Sequence, residues 1–149
     1  MLLFRRHTLL PWLWSAITMF ALSFLWHGVI LKDLQELKIP LTLYLVLSGI
    51  VYLLLGLTIT VATHKAIEHE WVSLKGPFPL MVFLIGAAIG FVVYLLIFVL
   101  GMSFAKNEVV HIVVDILWQM VEQGLGGFVV SLGLIYDMRQ RFLEEERGH

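Results

Sequence analysis

The chain has 149 residues, of which 60% are hydrophobic and only 14% charged, with a net charge of −1. A soluble domain carries about 25% charged residues to keep its surface in water, so the apolar surface here is expected to face lipid. With no basic excess, nothing suggests a nucleic-acid partner. The absence of cysteine excludes disulfides, thiolate metal ligands and a cysteine nucleophile.

A hydrocarbon core about 30 Å thick takes roughly 20 helical residues to cross, and four runs meet that length. The first follows Arg5 and Arg6 and extends from Leu9 to Leu31 (LLPWLWSAITMFALSFLWHGVIL), with His27 its one ionisable side chain. Arg5 and Arg6 with Ala21-Leu22-Ser23 have the outline of a cleavable signal peptide. The apolar run continues through Leu31, however, longer than a usual signal core, so a retained helix is expected. Pro11 is placed in the first turn, where a missing N–H costs nothing.

The second span, Leu41 to Thr63, starts behind Pro40 and has only Tyr44 and Tyr52 as ionisable groups. Gly49, Tyr52, Gly56, Thr60 and Thr63 share one helical face, a packing surface of small residues. The following HKAIEHEWVSLKG, residues 64–76, is predicted as a short interfacial helix stopped by Gly76-Pro77. His64, Glu68, His69 and Glu70 within it have metal-compatible side chains. His69 points away from the face that His64 and Glu68 share, so a solvated loop and no metal site are expected.

The third span, Phe78 to Phe104, is the most apolar and begins at Pro77 and Pro79. Gly86-Ala-Ala-Ile-Gly90 is a GxxxG pattern, read as close helix packing rather than as a dimer signal. Four residues, Ala105 to Glu108, then lead into the fourth span, which makes the last two helices antiparallel neighbours.

The fourth span, Val109 to Tyr136, contains HIVVDILWQMVEQGLGG. At 100° per residue, His111, Asp115, Gln119 and Glu122 fall within an arc of about 80°, and Gly126 lies on it too. At 1.5 Å per residue Glu122 lies about 20 Å from Val109, near the bilayer midplane. An acidic side chain there costs about 2.5–3.5 kcal/mol, against the 0.3–0.6 kcal/mol returned by each large aliphatic one. The face is therefore expected to be sealed against protein, with Glu122 neutral while it lacks a partner. Gly126 and Gly127 below it would admit a neighbouring helix. Residues 137–149 are predicted to carry the helix into water before fraying, with Glu144-Glu145-Glu146 solvated.

Lys and Arg number seven in the two tails and the second loop and three in the other two loops. That bias puts both termini in the cytoplasm, and an even number of spans agrees. The expected fold is thus all-α, a polytopic transmembrane four-helix bundle forming one domain.

Three readings of the polar face compete. A buried cluster of His27, His111, Asp115, Gln119 and Glu122 fixes helix register; it handles protons or cations; or His27 and His111 supply the two imidazoles of a haem. Ser23, Trp26 and His27 sit at a depth comparable to His111 and Asp115, which makes the first span the natural neighbour of the fourth. No Ser/His/Asp arrangement, phosphate loop or HExxH motif occurs, so no enzymatic activity is expected, and no cofactor apart from the haem alternative.

FLWHGVILKDL at the end of the first span and WQMVEQGLGGFVVSLGLIYD in the last resemble a group of small, uncharacterised bacterial inner-membrane proteins in which an aromatic-His element ends the first of four helices. The resemblance covers the two outer helices. It implies a bacterial inner-membrane four-helix protein in which Trp26-His27 pairs with the fourth span, and it implies no activity. The leading expectation is an accessory or assembly subunit of a membrane complex, with membrane-protein partners or copies of itself. A proton- or ion-coupled carrier or channel comes second, and a haem-binding electron-transfer bundle third.

Overall fold

The computed structural model describes residues 6–35, 38–74, 76–101 and 109–147; within these, the side chains of Arg6, His7, Asp33, Phe98, Leu100, Gly101, Val109 and His111 lie outside the described residues. Four long helices make up the chain: α1 (Arg6–Phe24), α2 (Leu41–Glu68), α3 (Phe78–Gly101) and α4 (Val109–Arg147). All four are long and apolar enough to cross a membrane. No strand occurs among the described residues. Large aliphatic residues such as Leu54, Leu84, Ile97 and Leu117 point outward, as hydrocarbon allows and water does not.

α4 is the hub. α3 packs along it most extensively, α1 packs on its other side, and α2 lies against α1 with lighter contacts to α4 and α3. Glycine sets the α3–α4 distance. A Cβ at Gly90 would lie 2.6 Å from the Gln119 carbonyl oxygen, one at Gly86 would run into the Gln123 carbonyl, and one at Gly127 into the Val82 carbonyl. Backbone meets backbone along this seam, so the GxxxG pattern is used within the chain. On the α1 side, Gly126 accommodates Met19, with a Cβ only 2.5 Å from its sulfur, and Gly133 faces Pro11. Gly56 meets Trp12 and Ala16 of α1. Gly49 does not belong with these: a Cβ there would meet nothing within 4 Å. Helices that cross at an angle touch at one level and part at another, and α1 and α2 meet at Gly56.

Several boundaries differ from expectation. α1 starts at Arg6, which puts Pro11 inside the helix rather than in its first turn. Its ring is fully buried against Gly133, and this packing offsets the missing backbone bond. α2 absorbs His64 to Glu68, and no helix follows among the described residues of the connection to α3. Instead the chain turns back: Trp71 and Val72 donate their N–H groups to the Ala66 carbonyl, and Glu70 adopts a left-handed φ of 57°. Val72 is thereby buried under the end of α2. α3 is described only to Gly101, so the expected continuation to Phe104 and the connecting residues 105–108 lie outside the described residues. α4 passes Tyr136 without a break and stays helical to Arg147.

Candidate functional site

α1 continues directly into a π-helical segment, Leu25–Ile30, the stretch LWHGVI. The widened turn is closed by the Leu31 N–H donating to the Trp26 carbonyl over 2.8 Å. A π segment shifts the side chains that follow it around the helix, and such segments recur at functional sites. Here it carries Trp26 and His27. The Trp26 ring stacks on Trp118 of α4 with centroids 4.1 Å apart and planes 10° from parallel.

One turn further along α4, the Trp118 indole Nε1 donates to Glu122 Oε2 over 3.1 Å. Glu122 has no exposed surface at all. The Tyr52 hydroxyl of α2 interacts with the same carboxyl, His27 lies within electrostatic reach of it, and Ser23 of α1 adjoins Tyr52. Glu122 Oε1 nevertheless keeps no hydrogen-bond partner, and neither does the buried Trp26 Nε1. Leaving one buried polar atom unpaired costs about 1–3 kcal/mol, and lipid offers no water to relieve it. A carboxyl held by α1, α2 and α4 together, with one oxygen unpaired, is the polar centre of the molecule.

Next to it, between α1 and α2, lies a narrow cleft of about 10 Å³ bordered by Ser23, Tyr44, Ser48 and Tyr52 with the rings of Phe20 and Phe24. That volume holds about one water molecule. Its border supplies four hydroxyl groups, and Tyr52 belongs to both the cleft and the Glu122 site. Towards the other end of the bundle the core stays polar: Ser15, Thr60, Thr63, Gln123 and Ser131 are all buried. Thr60 and Thr63 donate to backbone carbonyls one turn back, and Ser131 to the Phe128 carbonyl. Ser15 Oγ and Gln123 Oε1 remain unpaired.

The polar face read from the sequence is split between two neighbours. Asp115 turns to α3, where the Tyr94 hydroxyl donates to its Oδ2 over 3.1 Å. Gln119 is half-buried, and its carbonyl touches α3 at Gly90. Of the described stripe side chains, Glu122 faces α1 and α2, and His27 lies within electrostatic reach of it. The side chain of His111 lies outside the described residues, and with it the pairing of His27 and His111 as haem ligands. Ser23, expected at this depth, adjoins the site through Tyr52, and Trp118, Tyr52 and Tyr94 join it beyond the residues expected from the sequence. Trp118 could be placed from the sequence, since it precedes Glu122 by four residues and so shares its face.

Around the end of α2, Lys65 pairs with Glu68 over 3.0 Å on the surface, and His69 stacks on Trp71. No group of three His, Cys, Asp or Glu residues stands close enough to hold a metal among the described residues. No family model, curated protein or solved structure matches the chain.

Proposed function

We propose that this protein is a small non-enzymatic membrane protein that takes up and releases a proton at Glu122, as a proton-coupled carrier or channel does. The observation that carries the reading is the fully buried Glu122 carboxyl with Oε1 unpaired. A structural lock would gain from satisfying both oxygens, whereas a group that exchanges protons needs one oxygen available. The neighbouring cleft favours a proton over a larger cargo, because its volume of about 10 Å³ suits a single water. The seven-to-three Lys and Arg bias and the resemblance of the outer helices support a bacterial inner membrane with both termini cytoplasmic. Tyr44, Ser48, Ser23 and Tyr52 then open towards the extracytoplasmic side.

The test is proton flux into liposomes loaded with a pH-sensitive dye. Glu122→Gln keeps the shape and the acceptor for Trp118 but cannot ionise, and it abolishes flux while the protein remains folded. Unchanged flux removes Glu122 from any such role.

A second reading, an accessory subunit of a larger complex or a homo-oligomer, is favoured by the far end of α4. Past Tyr136, Met138 and Phe142 are 41% and 60% exposed and lie four residues apart on one helical face, an apolar ridge suited to a partner. Extraction in mild detergent recovers a stoichiometric partner under this reading, and Met138→Ser with Phe142→Ser releases it. A monodisperse lone chain counts against it.

A further inference from the structure

Where α1 meets the end of the membrane-spanning part of α4, two hollows adjoin. One, of about 310 Å³, has a lining that is about half polar and is bordered by Tyr136, Asp137, Gln140, Arg141 and Glu144. The other, of about 510 Å³, is largely apolar and bordered by Trp14, Thr18, Val129 and Leu132. Leu10, Gly133 and Tyr136 border both, so the two form one continuous recess. Its origin is the contact of Pro11 with Gly133, where an added Cβ would lie 2.9 Å from the proline ring. The helices touch along that line, and the larger side chains beside it stand apart.

We infer that this recess binds one zwitterionic phospholipid carrying a primary amine, with its headgroup among the α4 side chains and an acyl chain between α1 and α4. The apolar part runs from Leu10 to Thr18, about 12 Å along α1, against about 15 Å for the hydrocarbon of one leaflet. The polar part follows directly on α4, where a headgroup would be. Among the described side chains that border it, the charges are one guanidinium and two carboxylates. Arg141 already bridges to Asp137, with Nε and Nη2 each 3.1 Å from Oδ2, and its remaining N–H groups are free to meet a phosphate. Glu144, one turn beyond Gln140 and two turns beyond Asp137, suits an ammonium group. Two carboxylates disfavour a purely anionic headgroup, and a quaternary choline has no N–H to donate to them.

The experiment is native mass spectrometry of the full chain in detergent with equal amounts of phosphatidylethanolamine, phosphatidylcholine and phosphatidylglycerol bearing the same acyl chains. The ethanolamine lipid is retained about tenfold over the other two, the equivalent of one charge-assisted hydrogen bond. Glu144→Gln removes that preference, and Arg141→Gln, which loses the phosphate contact common to all three lipids, lowers retention of each. Both residues lie beyond the span, and the Arg141 side chain is 53% exposed, so folding is unaffected. Val129→Trp fills the apolar part and lowers retention of all three lipids. Equal retention of the three overturns the inference, since it marks ordinary surrounding lipid. Preference for phosphatidylglycerol, or an ethanolamine preference that survives Glu144→Gln, overturns it as well.

Discussion

Replacing Gly86 by alanine tests whether the α3–α4 seam holds the bundle together. The new Cβ lands on the Gln123 carbonyl, with the Gly124 Cα only 3.2 Å away. Those are backbone atoms of a helix and cannot swing aside as a side chain would. The scale of the displacement can be read at Gly90, where a Cβ would be 2.6 Å from a carbonyl oxygen while ordinary contact begins at 3.4 Å. The seam must therefore open by about 0.8 Å there, and by more at Gly86. A radial gap of about 0.5–1 Å forfeits a quarter to a half of each dispersion contact, and overpacking costs typically about 1–3 kcal/mol. With rigid backbone on both sides, Gly86→Ala belongs at the upper end, about 3 kcal/mol. Gly49→Ala is the internal control: it meets nothing within 4 Å, and alanine exceeds glycine in helix preference by up to about 1 kcal/mol. Unfolding in mixed micelles with increasing SDS fraction, followed by tryptophan fluorescence, measures both. If Gly86→Ala unfolds at the wild-type SDS fraction, the seam is not where the bundle gains its cohesion.

Two further variants test the polar contacts. Tyr94→Phe deletes the donor to Asp115 and is expected to destabilise by about 0.6–1.7 kcal/mol, the range for interhelical hydrogen bonds in membranes; no change in the SDS midpoint would mean that Asp115 finds another donor. Trp118→Phe preserves an aromatic stack on Trp26 but leaves both Glu122 oxygens without the indole, at a cost of about 1–3 kcal/mol. Combining it with Glu122→Leu should restore most of that loss, and a double-mutant cycle with zero coupling refutes the Trp118–Glu122 bond.

Helix number and approximate extent were legible because hydropathy depends only on composition along the chain. Side-chain partners were less so, because they depend on how each helix is turned. The glycines of α3 and α4 announced close approach, but Gly49 and Gly56 are seven residues apart and look equivalent on a helical wheel. Only the crossing of α1 and α2 separates them. The polar residues of α4 share one stripe on a helical wheel, yet an arc of about 80° spans more than one neighbour on a central helix, and so Asp115 and Glu122 part company. The π segment at Trp26 and His27 has no proline to signal it. Tyr52 was visible as a packing residue of an uncharged span, and its place beside a carboxyl required knowing which way α2 turns.

α4 is unbroken over its 39 residues, about 58 Å of rod. Glu122 lies 25 residues, about 37 Å, from its far end. A tilt of about 5° at the level of the carboxyl therefore carries the tip through about 3 Å, more than the diameter of a water molecule. Because Trp26 and Tyr52 meet the rod at that level, through Trp118 and Glu122, that level acts as a fulcrum. A rearrangement too small to open a path through the bundle would still be felt outside the membrane as lateral displacement of Met138 and Phe142.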